Sequence, residues 1–115
     1  MDEQNLKFYK RLYELETPLS EKIAESVKDR TVSNLLEDLL MQANLATPDG
    51  KTAHILGGLK LRFRGTLTLA ESGGYDKLTF EQLKQSHPGE YYKLILEGLK
   101  IGIKDHPEIK KILRF

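Results

Sequence analysis

The chain contains no cysteine and no tryptophan, and only 4 prolines among 115 residues. Without cysteine there is no disulfide scaffold, no thiolate zinc or iron–sulfur site and no thiol nucleophile. Long apolar runs are missing too: the longest falls far short of the ~20 residues that cross a bilayer as a helix. The opening Met-Asp-Glu-Gln-Asn is acidic and polar, unlike a secretory signal. These absences lead to the expectation of a soluble, cytoplasmic domain without membrane contact. An excess of one charge is absent as well. The 18 basic and 17 acidic side chains leave net +1, and a pI of about 7.9 lies below the range of dedicated nucleic-acid binders.

What is present fits a single domain over residues 1–115. Apolar residues make up 39% of the chain, which is lean. A chain this long still buries about two-thirds of its unfolded surface. Charge is uneven along it. Residues 1–57 hold 7 basic and 10 acidic side chains, and residues 58–115 hold 11 and 7.

Leu6, Phe8, Tyr9, Leu12, Tyr13 and Leu15 recur at helical spacing and predict a helix over 3–15. Thr17-Pro18 starts a second helix, with Leu19, Ile23 and Val27 as a narrow apolar stripe. A third begins near Thr31 or Ser33 and buries Val32, Leu35, Leu36, Leu39, Leu40 and Ala43. It ends before the turn-forming Thr47-Pro48-Asp49-Gly50.

Residues 51–58 fit either a short strand turning at Gly57-Gly58 or a helical turn; the strand is preferred. Over 59–69, Leu59, Leu61, Phe63, Leu67 and Leu69 alternate with Lys60, Arg62, Arg64, Thr66 and Thr68. That period of two predicts one long half-buried strand, bulged at Gly65. Ser72-Gly73-Gly74 ends it, and Tyr75–Leu78 returns antiparallel. Thr79 and Gln82 fit a capping box for a short helix to Ser86. Pro88 opens a further helix to about Ile103, and Asp105-His106-Pro107-Glu108 a last short one. The expected fold is therefore α+β: mostly helical, with a small antiparallel sheet between helices.

Two surfaces stand out. On a strand, Lys60, Arg62 and Arg64 share one face about 7 Å apart, close to phosphate spacing, and Thr66 continues the row. This predicts contact with nucleic acid or an acidic partner. On the helix 88–103, eight large apolar residues cover more than half the circumference. The row Tyr92, Leu96, Leu99 and Ile103 either belongs to the core of the chain or faces a protein partner or a second copy of the chain.

Thr31-Val32-Ser33, followed by Leu35, Leu36, Leu39, Leu40 and Ala43-Asn44-Leu45-Ala46, resembles the second helix of helix-turn-helix regulators. The resemblance covers under half the chain and implies a winged helix whose wing is the 59–69 region. Two features depart from it: Ala24 to Thr31 is about two residues short of the usual unit, and the recognition helix displays Glu37 and Asp38 without a cation.

Chemistry-bearing motifs are sparse. His54, His87 and His106 form no i, i+3 or i, i+4 pair, so neither a metal site nor a cofactor is expected. No serine has nucleophile-elbow context, and the glycine pairs lack phosphate-loop spacing. The expected function is a non-enzymatic regulatory or adaptor domain acting through protein contacts. The alternative is a winged-helix-like nucleic-acid-binding module that uses the cations at 60–64.

Overall fold

The computed structural model describes residues 3–15, 17–100 and 110–111. Among residues 3–100 six α-helices follow one another: α1 (Glu3–Leu15), α2 (Thr17–Val27), α3 (Val32–Leu45), α4 (Gly50–Gly73), α5 (Phe80–Ser86) and α6 (Pro88–Lys93). The last continues without a break as a π-helical stretch, Leu94–Lys100. Among the described residues there is no strand, only an isolated antiparallel bridge between Thr31 and Thr79. The fold is all-α, and the α+β expectation is overturned.

The error lies in α4, where the anticipated strand and the ambiguous 51–58 segment form one helix of 24 residues. A period of two contains a period of four. Leu59, Phe63 and Leu67 satisfy both, because residues four apart share a helix face. The structure uses that helical subset. Leu56, Leu59, Phe63 and Ala70 are buried, with Ile55 and Leu67 packed beside them. Leu61 and Leu69, which a strand would bury with the others, are 72% and 57% exposed. Lys, Arg and Leu also favour helix over strand where tertiary contacts permit either. Gly57-Gly58 lies inside this helix and is not a turn.

Gly73-Gly74 does terminate the element, as a helix end. Gly74 adopts φ +76°, and its N–H donates to the Glu71 carbonyl while the Tyr75 N–H reaches the Ala70 carbonyl at 3.0 Å. This closes the helix as a Schellman motif. Tyr75–Leu78 then runs as turns, so the returning strand is absent as well.

The loops before α3 and α5 cap each other's helix. Thr31 Oγ1 accepts from Asn34 N–H, and Thr79 Oγ1 accepts from Gln82 N–H, with Gln82 Oε1 completing the expected capping box. The first free N–H groups of α3, from Val32 and Ser33, donate to the carbonyls of Leu78 and Asp76. Those of α5, from Phe80 and Glu81, donate to Arg30 and Lys28. Four donors that a helix start normally leaves to water are thus satisfied across two loops.

The core forms around α6 and its π-helical continuation, which touch α1, α2, α4 and α5. Tyr91, Tyr92, Leu94, Ile95, Leu96 and Leu99 are all buried there. The wide apolar arc of this helix is therefore met from within the chain.

Candidate nucleic-acid interface

Helix α4 contacts α3 and the π-helical stretch with one side and turns the other to solvent. Three of the residues expected to share a strand face, Lys60, Arg62 and Arg64, are placed on it. The helix separates them. Lys60 and Arg64 stand one turn apart on one flank of the exposed side, and Arg62 lies on the opposite flank. Lys51, eleven residues before Arg62 and about three turns away, joins it there. Thr66 lies beside the buried arc and does not continue the row. Between the two flanks lie His54, Gly57, Gly58, Leu61, Gly65 and Thr68, and exposed Glu71 follows Arg64 two turns on along its flank. The Thr68 hydroxyl is turned back to the Arg64 carbonyl at 3.0 Å.

The charge of this helix is one-sided. Residues 50–70 contain Lys51, Lys60, Arg62 and Arg64 and no carboxylate, so the rest of the chain, with 14 basic and 17 acidic residues, nets −3. A solvated helix usually alternates signs so that residues one turn apart attract; Lys60 and Arg64 instead repel. Gly57, Gly58 and Gly65 add a further local cost. A Cβ added at any of them would meet nothing within 4 Å, so no intrachain packing requires them. Each costs about 1 kcal/mol relative to alanine inside a helix. Such departures from local preference concentrate where a surface serves something outside the fold.

The second anticipated surface is internal. Tyr92, Leu96 and Leu99 are 9%, 4% and 0% exposed, enclosed by neighbouring helices; Ile103 lies outside the described residues. No partner reaches this row without unfolding the core.

A cleft of about 680 Å³ opens where α1, α2, α5 and α6 meet. Its aromatic side holds Tyr13, Tyr91 and Tyr92, with ring centroids 5.2–6.3 Å apart, and Phe80 at 6.5 Å from Tyr91. Burial, reinforced by a hydrogen bond with Tyr13, pushes the Tyr91 phenol far above its ordinary range, so it stays protonated. Burial also raises Tyr92. The rim carries Glu21, Glu25, Lys28, Glu81 and Lys84. These charges largely answer one another: Lys28 Nζ lies 2.8 Å from Glu25, whose hydrogen bond and charge raise the lysine pKa, and Lys84 Nζ sits 5.7 Å from the centre of the Tyr91 ring. Phe80 and Tyr91 are already covered, so the cleft offers little ring face to a ligand. It lacks the cationic excess of α4.

The histidines are dispersed. His54 is exposed on α4, His87 links α5 to α6, and His106 is outside the described residues. His87 Nδ1 lies 2.9 Å from Ser86 Oγ, which also contacts the Gln82 carbonyl at 3.1 Å. When the single hydroxyl hydrogen goes to that carbonyl, the imidazole must donate, the reverse of what an activated serine needs. Among the described residues no group of three His, Asp or Glu side chains is placed to hold a metal ion.

No family model, curated protein or solved structure matches this chain, so its function is argued from these residues alone. Lys51 is the member of the α4 surface that the strand reading missed. Its signal was present in the absence of any acidic residue from 50 to 70.

Proposed function

We propose that the chain is a non-enzymatic nucleic-acid-binding domain whose contact element is α4. The observation that carries this reading is the outer side of that helix, where Lys51, Lys60, Arg62 and Arg64 precede its single carboxylate, Glu71 in the last turn, on a chain that is otherwise net negative. Phosphate backbones are bound chiefly by such fields, through release of condensed counterions. The winged-helix form of this idea is set aside with its strands. Helix α3 has no part in it: Asn34, Glu37, Asp38 and Met41 line its outer side, and Arg30 is held there by Asp38 at 3.1 Å and Asn34 at 3.0 Å.

The test is fluorescence anisotropy with a labelled 24-base-pair duplex over a range of salt. Four phosphate contacts give a slope of log K against log salt of about −3.6, a loss of roughly a hundredfold between 50 and 200 mM. Replacing Lys51, Lys60, Arg62 and Arg64 with alanine removes this dependence. Absence of binding at low salt, or a variant that binds like the wild type, overturns the proposal.

A second reading keeps the protein contact. Leu61 and Leu69 are exposed on the same helix as the cations, which suits an acidic, partly apolar protein surface. Salt-sensitive capture of an acidic protein by a chain that ignores nucleic acid favours this reading over the first.

A further inference from the structure

The placement of the cations says more than that α4 is basic. About the axis, at roughly 100° per residue, the buried residues Leu56, Leu59, Phe63 and Ala70 cluster within about 60°. Lys60 and Arg64 lie to one side of the opposite, exposed arc, and Lys51 and Arg62 to the other. The two pairs are about 170° apart across the solvent side. Cations on a single row would track one phosphate strand. Cations on both flanks, with Gly57, Gly58 and Gly65 along the midline between them, suit two strands at once.

We infer that α4 lies in the major groove of B-form DNA, with Lys60 and Arg64 on one phosphate strand and Lys51 and Arg62 on the other. This rests on the nucleic-acid reading above and names its substrate. The dimensions agree. A helix with its side chains is about 10–12 Å across, and the major groove is about 12 Å wide. The 24 residues of α4 give a rod of about 36 Å. The four cations span about 20 Å of it, several phosphates' length along each strand. The midline matches a groove floor. Gly57, Gly58 and Gly65 present no side chain there, and the space above each is open. Two longer side chains stand on the midline, exposed His54 and Leu61, and Leu61 is apolar and fits contact with a thymine methyl. The α3 carboxylates Glu37 and Asp38 belong to another helix, and Glu71, the one carboxylate of α4, lies about 10 Å beyond Arg64 in the last turn. The major groove of an RNA duplex is too deep and narrow for a helix, so the inference separates DNA from RNA.

The test uses the intact chain, one 24-base-pair DNA duplex, its single strand, an RNA duplex of the same sequence, and phosphatidylserine–phosphatidylcholine vesicles. Anisotropy reports binding to the nucleic acids and co-sedimentation binding to the vesicles. Lys60→Ala/Arg64→Ala and Lys51→Ala/Arg62→Ala are each expected to reduce the DNA salt slope by about 1.8, since each removes two contacts. Gly58→Gln/Gly65→Gln places two uncharged side chains on the midline. It is expected to fold with an undiminished melting temperature, to weaken DNA duplex binding at least tenfold, and to leave single-strand binding unchanged. The RNA duplex is expected to bind at least tenfold more weakly than the DNA.

One flank carrying the whole salt slope, or a glutamine variant that binds the DNA duplex like the wild type, overturns the groove inference while the nucleic-acid reading stands. Equal affinity for the RNA and DNA duplexes does the same. A wild-type chain that binds neither duplex nor single strand, whether or not it binds the vesicles, overturns both.

Discussion

Helix α4 and the continuous helix formed by α6 with its π-helical stretch are both rich in leucine and both contain glycine, yet they occupy opposite environments. Helix α6 and its π-helical continuation bury six large side chains between Tyr91 and Leu99 and are surrounded by four other helices. Helix α4 buries four side chains over 24 residues and leaves two leucines in solvent. Local amphipathic pattern sets how much of a helix is able to be buried. Which neighbours arrive to bury it is decided by the rest of the chain. The broad apolar arc of α6 and its π-helical continuation found its partners within 100 residues of sequence, while the outer side of α4 leaves Leu61 and Leu69 exposed.

The sharpest way to break this contrast is to truncate one leucine on each helix. Leu99→Ala, at a position with no exposure, is expected to cost about 2–5 kcal/mol in urea denaturation. Leu61→Ala, largely exposed, is expected to stay within about 0.5 kcal/mol of wild type. If the two substitutions cost the same, the assignment of core and surface is wrong.

Glycine substitutions within α4 sharpen the same distinction with effects of opposite sign. Gly74→Ala is expected to destabilise by about 1–2 kcal/mol, because φ +76° is unfavourable for a residue with a Cβ. Gly73→Ala shares that direction, since its Cβ would stand 2.7 Å from Tyr75 Cε1, and the Tyr75 ring is held against His87 at 4.5 Å. Gly58→Ala and Gly65→Ala meet open space and are each expected to stabilise by about 1 kcal/mol. Thermal melts of the four single variants read this directly. Loss of stability at Gly58 or Gly65 would mean that these glycines serve the fold.

The smallest effect is invisible at neutral pH. Burial raises the phenol pKa of Tyr91, Tyr92 and Tyr75 above the value each has when unfolded. The folded state then holds protons that the unfolded state has released, so stability is complete below about pH 10 and falls above it. Tyr91→Phe removes one such proton and is expected to make that decline shallower, measured as denaturation midpoints from pH 8 to 11.5. An equally steep decline would assign the linkage to other groups.

Much of the helical framework was readable in advance. The limits of α1 match the recurrence of Leu6, Tyr9 and Tyr13. Thr31 caps α3, Thr79 and Gln82 form their box, and Pro88 opens α6. Glu25 and Lys28 pair as their spacing suggests. These features depend on atoms within one or two turns. The strand reading failed because Leu59, Phe63 and Leu67 fit both periods, and only the position of α3 and the π-helical stretch selects between them. Between the core and interface readings of Tyr92, Leu96 and Leu99 the sequence did not choose, because an apolar arc does not record what covers it; their burial agrees with the core reading. Among the proposed site residues, Lys60, Arg62 and Arg64 were visible as cations, but not their division between two flanks.

By itself, the sequence determined the starts of α2, α3, α5 and α6, a break at Gly73-Gly74, the absence of thiol chemistry, and a carboxylate-free stretch from 50 to 70. Each follows from covalent identity or from hydrogen bonds between near neighbours. The tertiary structure alone decided that 59–69 is helical, that the helix after Pro88 is core, and that the cations of α4 flank an open midline. Those outcomes depend on contacts between residues distant in the chain, where the free energy of burial outweighs what any local pattern specifies.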